Sequence, residues 1–146
     1  MSRILGCQLI EYASILLELP QTAAATGQVL FVRIILFISV GAAPLLDLVG
    51  GIIYLCTKLL ECPRKLRHII AVMQYLNSEF NSVSYKPLDV SSEEYHDLRG
   101  GILDAEIRIL GKLGFEVHVE HPYGYLYLFL TKNQLYAGIG TYTTRC

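Results

Sequence analysis

The sequence has no tryptophan, few cysteines and almost no net charge, at -1 over 146 residues. Each scarcity removes a class of function. Lys and Arg do not outnumber Asp and Glu, so no basic field exists to hold nucleic acid directly. The four cysteines, Cys7, Cys56, Cys62 and Cys146, fit no zinc spacing, and no secretory signal precedes them. They read as reduced thiols, mostly core residues, of an intracellular chain. Long uncharged runs are also missing. The apolar stretch from Val29 to Leu60 is broken by Arg33, Pro44, Asp47 and Lys58. Its longest uncharged piece, Ile34 to Leu46, falls well short of the roughly 20 residues of a membrane span. Buried core helices are the expectation there, with a membrane hairpin over Leu30 to Leu60 as the competing reading. No Ser-His-Asp or Cys-His set stands out. Gly100-Gly101 and Gly111 form no phosphate loop, because no strand precedes them and no Lys-Ser/Thr follows. The chain reads as a non-enzyme without cofactor or metal.

What is present is apolar periodicity. Hydrophobic residues make up 53% of the chain, enough for one domain with a core. Ile4 to Leu19 carries Leu5, Leu9, Ala13, Leu16 and Leu17 at helical spacing, and Leu19-Pro20 stops it. Thr22 to Phe37 restarts as a helix in which Gly27 lets a neighbour approach. Leu45 to Glu61 is apolar nearly all round, which places it at the centre of a bundle. Gly50-Gly51 costs it intrinsic helicity in exchange for close packing. Pro63 suits the first turn of a helix running to Phe80, with Arg64, Lys65 and Arg67 on a solvated face. Ser91-x-x-Glu94 is a capping box for a helix over Ser92 to Leu113, closed by a left-handed Gly114. Beyond Val117, alternation of Tyr123, Tyr125 and Tyr127 with Gly124, Leu126 and Leu128 reads as extended or irregular. His118 and His121 lack the further ligands a metal needs and read as a surface turn. The fold class is all-α: a five-helix bundle with an irregular C-terminal tail.

Within the fifth helix one residue is out of place. Leu98, Ile102, Ala105, Ile109, Leu110 and Leu113 share a side, and Glu106 falls in the middle of that arc. A carboxylate there either loses its charge or finds a cation, because desolvating it unpaired is costly. Lys58, in an equally apolar neighbourhood, is the nearest candidate. The pair reads either as an internal salt bridge closing the bundle or as contacts kept for a partner.

Three phrases carry a family resemblance. GCQLIEYASILLELPQTAAATGQVLF resembles the opening two helices of a cyclin box. In CTKLLECPRKLRHIIAVMQYL, Lys58 stands where cyclins carry the lysine of their Lys-x-Glu-Glu segment. DLRGGILDAEIRILGKLGFEVHVEHP is similar to the family's fifth helix and its exit, with Glu106 on the family's glutamate. Within the family, ATGQVLF, CPRKLRHII and LGFEVHVEHP most resemble the L-type transcriptional cyclins. The resemblance covers about residues 5 to 130, and implies a cyclin box over 4–118 followed by a tail over 119–146, the remnant start of a second box or irregular. It implies a regulatory subunit that binds and activates a cyclin-dependent serine/threonine protein kinase in transcription or RNA processing, in the nucleus rather than the cytoplasm. Lys58, Glu61 and Glu106 would make the polar half of the kinase contact, and Leu110, Phe115 and Val117 the apolar half.

The resemblance has three departures. Leu60 replaces an acidic residue of the Lys-x-Glu-Glu segment. The Ile34 to Gly50 stretch is far more apolar than the family's charged linker. The second box is expected to be missing from a chain that ends at Cys146. A cyclin-fold interaction module that does not activate a kinase is therefore the alternative reading.

Overall fold

The computed structural model describes residues 3–37 and 44–132. Among them are six α-helices and no strand: α1 Arg3–Leu16, α2 Gln21–Ile35, α3 Leu45–Leu59, α4 Leu66–Phe80, α5 Glu93–Lys112 and α6 Tyr123–Lys132. The all-α expectation and its first five helices are met.

Helix α3 is the axis of the bundle, packed against α1, α2, α4 and α5. A helix apolar on every side can be satisfied only by neighbours on every side. Leu48, Val49, Ile52, Ile53, Leu55 and Cys56 are accordingly buried. Around them close Leu9 and Ile10 of α1, Leu30, Phe31 and Ile34 of α2, Ile69, Ile70 and Met73 of α4, and Ile102 and Ile109 of α5. Within the unusually apolar Ile34 to Gly50 stretch, Ile34, Leu48 and Val49 are buried in this core, whereas Leu36 and Phe37 are exposed. Residues 38–43 of that stretch lie outside the described set. Among the described residues, no helix is long and apolar enough to cross a membrane.

The glycines expected to admit neighbours do so. A β-carbon on Gly51 would lie 2.9 Å from Ala105 Cβ and 3.0 Å from the backbone nitrogen of Glu106, so the main chain of α3 lies directly against that of α5 there. On Gly50 it would meet Ile102 Cγ1 at 2.9 Å. On Gly27 it would meet Ile10 Cγ2 at 3.0 Å.

Four helices end in the same way, with a left-handed residue followed by an N–H that reaches back five residues. Leu19 donates to Ser14 after Glu18, Cys62 to Thr57 after Glu61, Val83 to Ser78 after Ser82, and Phe115 to Leu110 after Gly114. These bonds satisfy carbonyls that a helix end would otherwise leave orphaned. Only the last uses the glycine anticipated for it.

Arg64 corrects an expectation. It is not on a solvated helix face: α4 begins at Leu66, and Pro63 to Lys65 are not helical. Arg64 reaches across to α1, where its Nε–H donates to the Leu17 carbonyl and its Nη2–H to that of Glu18, both at 3.0 Å. The planar guanidinium thereby ties the α1 terminus to the start of α4. Arg64→Ala is expected to destabilise the chain by about 1–2 kcal/mol. Lys65→Ala and Arg67→Ala, both exposed, should stay within about 0.5 kcal/mol of the parent. Urea midpoints of the three variants check this ordering.

Two further boundaries move. Helix α5 is capped by Ser92, whose hydroxyl accepts from the Tyr95 N–H at 3.2 Å, one residue later than the expected Ser91. The tail is not irregular throughout: Tyr123–Lys132 is a helix. Its first turn is closed by the Leu126 N–H on the Pro122 carbonyl at 2.9 Å. The alternating Tyr pattern read as extended or irregular, but among the described residues there is no strand for an extended segment to pair with, and Pro122 just before the segment suits a helix start. None of the ten residues of α6 is buried. Residues 133–146 lie outside the described set.

Cys7 and Cys56 are free thiols, and burial pushes the Cys56 thiol up to about 12, which leaves it unreactive. The expectation of a reduced thiol does not hold at Cys62, which is buried and disulfide-bonded.

Candidate docking site

Lys58 and Glu106 meet. Lys58 Nζ donates to Glu106 Oε1 at 2.7 Å and to Oε2 at 2.9 Å. The close approach at Gly51 sets this geometry. Lys58 lies seven residues, two helical turns, after Gly51 and so on the same face of α3. The contact that seats Gly51 against the Glu106 backbone also fixes the height of the Glu106 side chain beneath Lys58. The lysine stands in the last turn of α3, where a cation is favoured by the helix dipole. It also lies over the ring of Tyr54, one turn earlier, with Nζ 3.9 Å from the ring centroid.

The two charges differ in exposure: 49% for the Lys58 side chain and 9% for that of Glu106. The internal salt bridge anticipated as one reading is therefore present, and its cation remains open to solvent. A lysine has three donors, and a half-exposed ammonium can serve an incoming carbonyl without leaving its carboxylate.

Apolar surface flanks the pair. Leu103 and Leu110 lie three and four residues from Glu106 on α5, on its face of the helix, and Ile107 is its neighbour in the chain, about 100° further round. Ile107 is 68% exposed, and Leu103 and Leu110 are partly buried. Phe115 follows the helix end at φ 63° with 72% of its surface exposed. A non-glycine residue in the left-handed region costs roughly 1–2 kcal/mol, spent here on holding an aromatic ring in water. Val117 is half-buried against the core. Glu61, by contrast, is not drawn into the ion pair. It occupies the left-handed turn after α3, φ 55°, and is exposed.

Sequence reasoning missed Tyr54 as part of this site, although its four-residue spacing to Lys58 was a signal that could have found it. It also missed the strap after α5. His121 is not in a free surface turn: its Nε2 lies 2.8 Å from Thr26 Oγ1, and its ring stacks on Tyr123. The Thr26 hydroxyl hydrogen goes to the Thr22 carbonyl at 2.7 Å, so His121 Nε2–H is the donor. The His118 carbonyl accepts from Arg33 Nη1 at 3.3 Å. Among the described residues, no group of three His, Cys, Asp or Glu could hold a metal.

The central and fifth helices of the bundle thus present a half-open ion pair beside exposed and partly buried apolar side chains. Known proteins similar to the chain name its family. Cyclin-L2 of Mus musculus is 40% identical over 128 residues, 88% of this chain and 24% of that protein. Cyclin-L1 of Gallus gallus is 39% identical over the same length. Cyclin-L1-1 of Oryza sativa subsp. japonica is 37% identical, with 30% of its length covered. No protein-family model matches the chain. The chain belongs to the cyclin family, close to the L-type cyclins. It spans about a quarter of the length of the curated relatives it matches first.

Proposed function

We propose that this chain is the regulatory subunit of a cyclin-dependent serine/threonine kinase, which it binds and activates through the α3–α5 face. The observation that carries the reading is the Lys58–Glu106 pair, closed at 2.7 Å yet half open on its lysine side, within an apolar rim. In this reading Lys58 and Glu106 hydrogen-bond to main chain beside the kinase's mobile regulatory helix. Leu110, Phe115 and Val117 bury an apolar residue of that helix, and Glu61 adds a peripheral polar contact. Residues 4–118 act as the cyclin box, and 119–146 are a tail. The chain performs no chemistry. It favours the kinase state in which the regulatory helix is turned inward and the kinase's own Lys–Glu pair is complete, by making contacts available only in that state. The likeness to L-type cyclins supports a nuclear role in transcription or RNA processing.

A second reading is favoured by one residue. Leu60 stands where the family carries an acid, so part of the polar contact is absent, and binding without activation follows. The test is phosphorylation of a peptide substrate by purified cyclin-dependent kinases with and without this chain. Activity should rise at least tenfold, about 1.4 kcal/mol of state preference, in the presence of the chain. Stable co-elution with no rise in activity selects the non-activating module. Neither co-elution nor activation with any kinase of the set rejects both.

A further inference from the structure

We propose that Tyr54 is the positioning residue of the docking site, holding the Lys58 ammonium at Glu106 before any partner arrives. The inference rests on the kinase-docking reading for its consequence, but not for its geometry.

An exposed lysine on a four-carbon stem samples many rotamers, and a single half-exposed ion pair does little to stop it. Lys58 is nonetheless held from two directions. Glu106 takes it through both carboxylate oxygens, at 2.7 and 2.9 Å. The Tyr54 ring face takes it with Nζ 3.9 Å from the centroid, well inside the range of a cation–π contact. The two contacts come from different helices. Glu106 is on α5, whereas Tyr54 is four residues before Lys58 on α3, directly beneath it on the helix surface. The ring is itself half-buried and packed against the core, so it is a fixed platform rather than a second mobile side chain.

A cation with two fixed neighbours loses little further freedom when a main-chain carbonyl reaches its open side, so less binding free energy is lost to ordering it.

The test compares Tyr54→Phe, which keeps the ring, with Tyr54→Leu, which removes it at similar size. Proton and carbon NMR of the lysine ε-methylene groups, with Lys58 assigned by its loss in Lys58→Arg, reads the geometry without a partner. The Lys58 signal should be shifted upfield by the ring current in the parent and in Tyr54→Phe, and should join the other lysines in Tyr54→Leu. Affinity for the purified cyclin-dependent kinase that binds the parent should fall about threefold to tenfold in Tyr54→Leu and stay unchanged in Tyr54→Phe. A Lys58 signal that ignores Tyr54→Leu overturns the proposal, as does a Tyr54→Phe variant that behaves like Tyr54→Leu. A parent chain that binds no kinase rejects the docking reading alone, and the NMR comparison still decides the role of Tyr54.

Discussion

Lys58→Ala is expected to destabilise the chain more than Glu106→Ala, although the two residues share one ion pair. The asymmetry follows from exposure. Glu106 is 7% exposed, and both of its oxygens accept from Lys58. Removing the lysine strands a carboxylate in apolar surroundings, at a cost of about 2–4 kcal/mol. Removing the glutamate leaves an ammonium that is already half in water and can complete its hydration by rotating. Such a pair is worth about 1 kcal/mol or less from the lysine side. Urea midpoints of the two variants measure the difference, and equal midpoints or the reverse order would contradict it. Both variants should also lose kinase association by about thirtyfold or more, the cost of truncating a desolvated charged contact. Should Lys58→Ala not fold, Glu106→Ala still tests the kinase arm. A folded Glu106→Ala chain that binds the kinase as the parent does would remove the pair from the proposed interface.

Gly51→Ala is the second large effect. One methyl group would sit 2.9 Å from Ala105 Cβ and 3.0 Å from the Glu106 backbone nitrogen. The latter is main chain and cannot rotate away, so α5 must shift as a body. Overpacking of this kind costs about 1–3 kcal/mol, against a gain in helix propensity of roughly 1 kcal/mol. We expect a net loss of up to about 2 kcal/mol together with weakened kinase association, because the shift moves Glu106 relative to Lys58. Gly100→Ala and Gly111→Ala are the controls. A β-carbon at either meets nothing within 4 Å, so each should stabilise α5 by about 0.5–1 kcal/mol and leave association unchanged. Gly51→Ala at parental stability and affinity would show that the α3–α5 crossing is looser than the structure has it.

These expectations divide according to what a sequence can display. The five bundle helices were legible because their apolar spacing repeats over many residues, and α3 was central because nearly all of its surface is apolar. The Lys58–Glu106 pair was legible for the opposite reason, as charge where the pattern demands none. Features set by a single residue's backbone were not. Glu18, Glu61 and Ser82 adopt left-handed geometry that is ordinarily the province of glycine, and nothing in their side chains announces it. Arg64 resembled its neighbours Lys65 and Arg67, and only the three-dimensional return of α1 gives it carbonyls to bind. Helix α6 was misread because alternating aromatic residues suit a strand only when another strand lies alongside. Tyr54 went unnoticed because an aromatic at helical spacing in an oily helix looks like core.

The residues of the ion pair stand 48 positions apart in the chain, on helices that each hold their own backbone hydrogen bonds. Loosening the α3–α5 crossing could therefore leave every helix wound and yet abolish the site. Far-ultraviolet dichroism would report such a chain as intact, while amide exchange along α5 would expose the loss. For this molecule, competence is a property of how rods are stacked, and secondary-structure content is the wrong gauge of it.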